Sequence, residues 1–356
     1  MSTEGGTFMI NKSDEQEGFC VNTNTSRIII ETMVRKAIED MKESPKRSVR
    51  NLVDLALTFS DGRFQQRFFS AAQTMLKNEN SSYYELVQNT ISHVDTEHLV
   101  RFGINLGYNS CTQGAKTIRK NKDKQGFHVP WMLTLHLDTA GWQTRVKRYQ
   151  NIIGQGEELG ICTWQLFADR HPECALPLAE VHSNSAFIVY CSHSEVTEQF
   201  LDAACELDNL MLAVRYDEDA AAFCGMLREK RMLYSVYYPY SAEDAVPILS
   251  DDLFYAIEEL SPIFAVLVPA ANCPMETQTA VAAHIRKLRE EQRFPMLPWE
   301  VLSDCILVDG IISGDGSVMA FDAEGYLHSG DEKTGLNCFT EDLKDLFRNN
   351  KKCTTP

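Results

Sequence analysis

The first third of the chain carries apolar residues at helical spacing. In the segment 27–41 (RIIIETMVRKAIEDM) apolar positions recur every three or four residues, and Ser26 stands where an N-cap would. Pro45 suits the first turn of a following helix. Three further segments share this periodicity: SVRNLVDLALTF, RFQQRFFSAAQTMLK and SYYELVQNTISHV. The pattern predicts a helical N-terminal module over residues 25–128.

From Trp131 the pattern changes to short apolar runs, each followed by a helical stretch. The strand candidates are 131–138, 161–167, 186–191, 210–216, 232–238 and 263–268. The helical stretches between and after them are 143–159, 173–183, 195–207, 218–230, 250–260 and 276–292. Apolar strands alternating with helices are typical of a parallel sheet. With right-handed crossovers they predict an α/β fold, a partial or full TIM-like β/α barrel over residues 129–294. A doubly wound open sheet is the competing topology.

The last part of the chain has shorter apolar runs. CILVDGIIS (305–313) and SVMAFDAEGYLHSG (317–330) predict short strands in a hairpin-like appendage, with turns at 315–316 and 324–325. A helix is predicted at 342–349. These elements indicate a small α+β extension over residues 295–348. The polar segments 1–24 and 349–356 are predicted to be disordered tails.

Composition and charge narrow the class of protein. The formal net charge of -16 disfavours binding to nucleic acid or to an anionic membrane surface. No apolar stretch approaches the roughly 20 residues that span a bilayer, and the first residues do not resemble a secretory signal. Eleven cysteines without a CxxC pair indicate reduced thiols. We therefore expect a cytoplasmic protein.

Several segments resemble radical S-adenosylmethionine (SAM) enzymes that carry a C-terminal SPASM-type extension. The strand and helix segments are VPWMLTLHLD, IIGQGEELGICTWQLF, CALPLAEVHSNSAFIVYCSHS and MLREKRMLYSVYY; IRKLREEQRFPML and DGIISGDGSVMAFDAEGYLHSG resemble the lead into the extension. SDGRFQQRFF and FGINLGYNSCTQGAKTIR resemble the leader domain of the same group. The resemblance covers roughly residues 30–345. It implies a radical-SAM-type barrel.

The residues that carry the chemistry of that family are absent at the matching positions. The family holds a [4Fe–4S] cluster and SAM through a CxxxCxxC loop after the first strand, because iron–sulfur clusters need thiolate donors. Here the loop 139–143 has no cysteine, and Asp-Arg-His-Pro (169–172) replaces a glycine-rich SAM turn. Auxiliary-cluster cysteines of the extension fall near Ile311 and Gly330. The resemblance therefore implies a degenerate radical-SAM-like protein without this cofactor pair.

Cysteines elsewhere offer a second reading. Cys162, Cys191, Cys273 and Cys305 could gather in space to hold a metal or cluster. Their single positions within apolar runs favour buried structural thiols instead.

Polar residues at the carboxyl ends of the predicted strands are the candidate site, because β/α barrels bind ligands there. They are Asp138, Asp169, His171, His193, Arg215, Asp217 and Tyr238. Asp, His and Arg side chains that converge can do acid–base chemistry or grip a carboxylate. The alternative is that they cap the following helices. His171 and His193 could bind a metal with a neighbouring aspartate, although no HxH or HxxxH spacing supports it.

Aromatic residues form a further candidate. Tyr234, Tyr237, Tyr238 and Tyr240 alternate across one strand, where they can pack in the core or stack on a planar ligand or peptide at the barrel mouth.

Two function classes follow from these observations. The first is a binding or scaffolding protein for a peptide, a small molecule or a partner enzyme. The second is a repurposed enzyme that uses converging strand-end Asp, His and Arg residues in the old SAM pocket. A minor alternative is cryptic iron–sulfur or SAM binding. The sequence has no GxSxG, HExxH, Walker A or GxGxxG motif to favour another chemistry.

Overall fold

The computed structural model describes residues 13–350 except 59, 61, 139–140, 169 and 331, with side chains from Thr25 onward. The predicted disorder of residues 1–12 and 351–356, and the candidate Asp169, lie outside the described residues. Within them the fold is mixed α/β with one large sheet. This agrees with the predicted class.

The N-terminal module is helical, as predicted. Its elements are α1 (Ser13–Glu43), α2 (Pro45–Thr58), α3 (Arg63–Met75), α4 (Tyr83–His93), α5 (Thr96–Gly103), a π-helical segment (Ile104–Gly114) and α6 (Ala115–Gln125). Helix α1 begins well before Arg27, so Ser26 lies inside it and is not an N-cap. Residues 13–24 are thus helical, where a disordered tail was predicted. Ile38 of α1, Val49 of α2 and Tyr84 of α4 share one apolar core.

Ten strands of the described residues form one sheet. They are β1 (Leu133–His136), β2 (Thr163–Phe167), β3 (Ala186–Cys191), β4 (Leu210–Arg215), β5 (Tyr234–Tyr240), β6 (Phe264–Pro269), β7 (Leu297–Glu300), β8 (Met319–Phe321), β9 (Tyr326–Ser329) and β10 (Glu332–Asn337). The order is β10-β9-β8-β1-β2-β3-β4-β5-β6-β7. Strands β1 to β7 follow the chain without reversal and are parallel. A doubly wound sheet needs a reversal point, so that alternative is wrong.

Helices connect these strands, and one more helix follows β10. They are α7 (Trp142–Leu159), α8 (Leu176–Val181), α9 (Glu198–Cys205), α10 (Ala220–Glu229), α11 (Ala245–Leu249), α12 (Asp252–Glu258), α13 (Met275–Glu291), α14 (Val301–Ile312) and α15 (Leu343–Asn349). Two 3-10 turns, Pro172–Ala175 and His193–Glu195, precede α8 and α9. Right-handed crossovers between strands in sequential order place the connecting helices on one face of the sheet.

The six predicted strands are confirmed, and the C-terminal segment shows the main differences. The sequence 305–313 was predicted as a strand, but it lies in α14. A short and almost wholly apolar run does not distinguish a strand from a helix by periodicity. Strands β8 and β9 are confirmed, but they are not an appendage, because β8 pairs in parallel with β1. Strand β7 was not predicted, because Pro298 and Glu300 interrupt the apolar pattern of its four residues.

The sheet is curled rather than flat. Helix α14 leaves β7 at Glu300, and Trp131, just before β1, donates its indole N–H to the Cys305 carbonyl of α14 at 3.3 Å. Five helical residues rise about 7.5 Å, whereas β1 and β7 of a flat sheet would lie about 29 Å apart. The two edges therefore approach each other. In the described part of the chain β7 and β10 do not pair, so the barrel is partial.

The inner side of the curl, called here the concave face, is partly filled by helices. Near the amino ends of the strands, Phe102 of α5 and Val94 pack against Ala186, Met211 and Leu233. The opposite face packs on the crossover helices through residues such as Leu135, Trp164 and Val189. The helical module thus covers the half of the concave face that lies near the amino ends of the strands.

A buried carboxylate fastens α14 to the start of β1. Asp309 is fully buried and accepts hydrogen bonds from the backbone N–H groups of Trp131 at 3.1 Å and Ser317 at 2.9 Å. Its Oδ2 lies 3.2 Å from Nε2 of His128, whose Nδ1 lies 2.8 Å from Asp315. Lys122 of α6 pairs with Asp315 at 2.7 Å. This network joins the helical module, β1 and the C-terminal segment.

We expect Asp309→Ala to lower the free energy of unfolding by about 3 kcal/mol, because the Trp131 and Ser317 N–H groups lose their acceptor. Urea unfolding followed by circular dichroism measures the change. The control is Asp345→Ala, an exposed carboxylate that pairs with Arg348 and with no other described side chain, which should shift stability by less than about 1 kcal/mol. Equal effects of the two substitutions would show that the network does not hold the fold together.

Asp322, in the turn between β8 and β9, makes the stability of the folded chain depend on pH. Burial acts to raise the pKa of Asp322, but Lys333, His328 and the Tyr326 N–H outweigh it and lower that pKa to about 2. A carboxylate with a lowered folded pKa stabilises fully above its ordinary value of 3.8, and the stabilisation disappears as pH falls towards 2. Asp322→Asn should therefore lower the urea midpoint at pH 6, and the difference from the parent should narrow at pH 3. A difference independent of pH would contradict this assignment.

Candidate functional site

The candidate Asp138 holds a loop in place. Its Oδ1 accepts the Gly141 N–H at 3.3 Å, and its Oδ2 pairs with Arg145 at 3.0 Å. Arg145 also donates to the Ala323 carbonyl at 2.7 Å and lies 5.1 Å from the Phe339 ring centroid. Through Arg145, Asp138 thus ties the loop after β1 to the segment between β8 and β9. This structural role resembles the helix-capping role given above as the alternative to a ligand site.

The candidate histidines each face an acidic neighbour of their own. His171 Nδ1 lies 3.0 Å from Glu173, and the His171 side chain is half exposed. His193 Nδ1 lies 3.9 Å from Asp219, and its ring is 5.3 Å from that of Phe223. In the described part of the chain, no contact joins the two histidines to each other.

Asp217 and Tyr238 are also engaged locally. Asp217 accepts the Asp219 N–H at 3.1 Å, which closes a turn. Tyr238 donates its hydroxyl to Asp244 at 2.7 Å, and that hydrogen bond raises the pKa of Tyr238 to about 12. No hydrogen bond or ion pair joins two of the described candidates, so the convergence expected of a repurposed enzyme is not seen among them.

Arg215 differs from the other candidates. It ends β4 on the concave face, its side chain is exposed, and no described residue makes a hydrogen bond or ion pair with it. In the sheet register it lies opposite Tyr237 of β5. Its guanidinium is therefore available to a carboxylate or phosphate of a ligand.

Four aromatic side chains line the same face, and we call them the aromatic row: His136, Phe167, Tyr190 and Tyr237. The register places His136 beside Phe167 and Phe167 beside Tyr190. The ring centroids are 4.7 Å apart for His136 and Phe167 and 4.1 Å apart for Phe167 and Tyr190, both stacked. Tyr190 meets Tyr237 edge-on at 5.2 Å. The row crosses the sheet from β1 to β5.

Exposure decreases along the aromatic row. His136 is exposed and Phe167 half-buried, while Tyr190 is 1% exposed. The Tyr190 hydroxyl makes no hydrogen bond with the described residues, and burial raises its pKa well above the ordinary value. Tyr190 therefore closes the inner end of the row, and its hydroxyl is a neutral donor there.

The wall of the site comes from β7 and α14. Trp299 and Val301 pack against the cluster that contains Tyr190 and Tyr237. Cys305, one turn further along α14, is buried, and its pKa is raised well above the ordinary value, chiefly by burial. The arrangement can stack a planar group and pair an acidic one, with no adjacent nucleophile–base pair.

The sequence reasoning identified Arg215 but missed His136, Phe167 and Tyr190. His136 and Phe167 end β1 and β2, and Tyr190 is the last residue but one of β3. The sequence shows three aromatic residues near strand ends, but their alignment depends on the strand register, which the structure supplies. Of the predicted tyrosine cluster, Tyr237 joins the row, whereas Tyr234 and Tyr240 belong to the core on the helix-covered face.

Comparisons with known proteins do not assign the chain to a family. No family model matches the chain, and no curated protein matches it. The chain is similar to Streptococcus suis SuiB bound to precursor peptide SuiA, with a TM-score of 0.49 and 8% identity over 67% of this chain and 70% of that one. SuiB bound to S-adenosylmethionine gives 0.49 and 9% over 66% and 67%, and a third SuiB structure gives 0.49 and 9% over 84% and 79%. This similarity leaves the family of the chain open.

The described cysteines are dispersed through the core. Burial raises the pKa of Cys111, Cys162, Cys174, Cys224 and Cys338 to about 12 each. Within the described residues, no three His, Cys, Asp or Glu side chains come together as metal ligands would. None of the described helices is long and apolar enough to cross a bilayer.

Alkylation should separate these thiols. We expect Cys205, which is only partly buried, to react with iodoacetamide at least about tenfold faster than Cys111 or Cys305, because the thiolate is the reactive form and burial suppresses it. Peptide mass spectrometry over a time course measures each rate. Fast modification of Cys305 in the folded chain would contradict the packing of α14.

Proposed function

We propose that this chain is a degenerate radical-SAM-like protein that binds a peptide on its concave face in place of radical chemistry. The observation that carries the proposal is the aromatic row that ends beside Arg215, which makes no hydrogen bond or ion pair with the described residues. The concave face thus presents groups that can bind a ligand. The strand-end carboxylates and histidines that chemistry would need are engaged in separate local pairs.

The residues present do not fit a [4Fe–4S] cluster with bound SAM. The loop from Asp138 to Trp142 contains no thiol, and clusters of this kind are held by thiolates. Cys191 and Cys305 are buried in the apolar core, and the described cysteines do not group. We therefore include the absence of radical chemistry in the proposal, and no step is assigned to such a cofactor.

The size of the aromatic row favours a peptide over a small molecule. Its successive ring centroids lie 4.7, 4.1 and 5.2 Å apart, so the row is at most about 14 Å long and matches about four residues of extended chain. A ring of the peptide can stack on the exposed His136 and meet the edge of Phe167, whose two faces are covered by His136 and Tyr190. An acidic group of the peptide can pair with Arg215. The Tyr190 hydroxyl is placed to donate to a carbonyl of the peptide. An aromatic and acidic peptide is the ligand class that these groups fit.

A display library panned against the full chain provides the probe, and the best synthetic peptide is titrated by calorimetry. We expect Arg215→Ala to weaken binding at least about tenfold, because a charge-assisted hydrogen bond contributes about 1.5–3 kcal/mol. Arg215→Lys should recover part of the loss, and Phe167→Leu should weaken binding about fivefold through lost stacking.

The matched control is Arg286→Ala, since Arg286 of α13 is also an exposed arginine without a hydrogen bond or ion pair to the described residues. It should change affinity less than about twofold. Selected peptides that bind parent and Arg215→Ala equally would refute the proposed site, and so would a library that yields no binder.

A further inference from the structure

One long stretch of the chain contains no lysine or arginine. Residues 232–285 contain seven Asp and Glu and no Lys or Arg. This stretch forms α11, α12 and most of α13, and α11 packs beside α13. Both helices start just beyond the carboxyl ends of β5 and β6. The starts of α11 and α13 therefore carry acidic side chains and no Lys or Arg, which begin only at Arg286 further along α13.

The same corner exposes large apolar side chains. Val246 is 75% exposed and Leu249 41% exposed on α11, and Met275 at the start of α13 is 63% exposed. Ile248 of α11 is fully buried and fixes the orientation of the helix. We call Val246, Leu249 and Met275 the α11–α13 patch. Single exposed apolar residues need no explanation, but three on two contacting helices at the same edge of the sheet are a candidate interaction surface.

The acidic groups divide into engaged and available ones. Asp244 accepts from Tyr238 and Ser241, and Asp251 is held by His284 and Arg293. Glu243 and Glu276, by contrast, are exposed and make no hydrogen bond or ion pair with the described residues. They flank the patch in sequence, before α11 and within the first turn of α13. The available rim of the patch is thus acidic.

We infer that the α11–α13 patch docks a cationic amphipathic segment of a partner protein. Apolar side chains of such a segment would cover Val246, Leu249 and Met275, while its Lys and Arg side chains pair with Glu243 and Glu276. A second copy of this chain fits less well, because a two-fold contact would bring two acidic rims together. This inference rests on residues separate from the aromatic row and does not depend on the proposed function.

The probe is a dye-labelled helical peptide of Lys and Leu, about 14 residues long, titrated into the full chain by fluorescence anisotropy at about 0.15 M salt. Charge is tested with the double variant Glu243→Lys/Glu276→Lys against Glu39→Lys/Glu229→Lys. All four glutamates are exposed, so the two variants change net charge equally. We expect the first to raise the Kd at least about tenfold and the second less than about threefold. Equal losses, or no binding by the parent, would overturn the inference.

The apolar part is tested in the same assay. Val246→Ser/Met275→Ser should weaken the peptide about fivefold, whereas Ile29→Ser/Val181→Ser, at two apolar positions exposed to a similar extent elsewhere, should leave it unchanged. Equal effects of these two variants would overturn the inference. Sedimentation of the parent should show a monomer. A dimer that Val246→Ser/Met275→Ser dissociates would assign the patch to a second copy and overturn the inference.

Discussion

Asp309 lies fully buried where α14 meets the start of β1, and its carboxylate receives the N–H groups of Trp131 and Ser317. A carboxylate at such a position is stable only when its oxygens are paired, because desolvation of an unpaired charge costs several kcal/mol. The pairing fixes the far end of α14 against β1, while the near end continues directly from β7. One helix thereby spans the opening between two distant strands and keeps the sheet curled.

The curl determines where a ligand can bind. In a flat sheet Trp299 and Val301 of the β7 side would lie far from the rings of β1 to β3, but here they pack against the Tyr190 and Tyr237 cluster. The helical module covers the half of the concave face near the amino ends of the strands. The aromatic row and Arg215 therefore lie at the carboxyl ends. The site offers aromatic rings, a tyrosine hydroxyl and a guanidinium that has no partner among the described residues. These groups support recognition better than bond-making chemistry.

Local patterns predicted much of the fold. The six strands from β1 to β6 appear within two residues of their predicted positions because long apolar runs between helices have few other interpretations. Helix α14 was misread because its buried and exposed faces are both apolar, as Ile306 and Leu307 show. At the site, Arg215 followed from the strand-end rule. The aromatic row did not, because stacking between strands depends on register, which a single sequence does not reveal.

Anaerobic iron–sulfide reconstitution followed by SAM calorimetry tests whether the chain holds a cluster and SAM. Because the loop after β1 offers no thiolate, we propose that the chain recognises a ligand on its concave face without a cluster. We expect no stoichiometric iron or sulfide, no absorbance in the cluster band and no heat of SAM binding. Stoichiometric iron and sulfide together with SAM binding would contradict this proposal and assign the cluster to cysteines elsewhere in the chain.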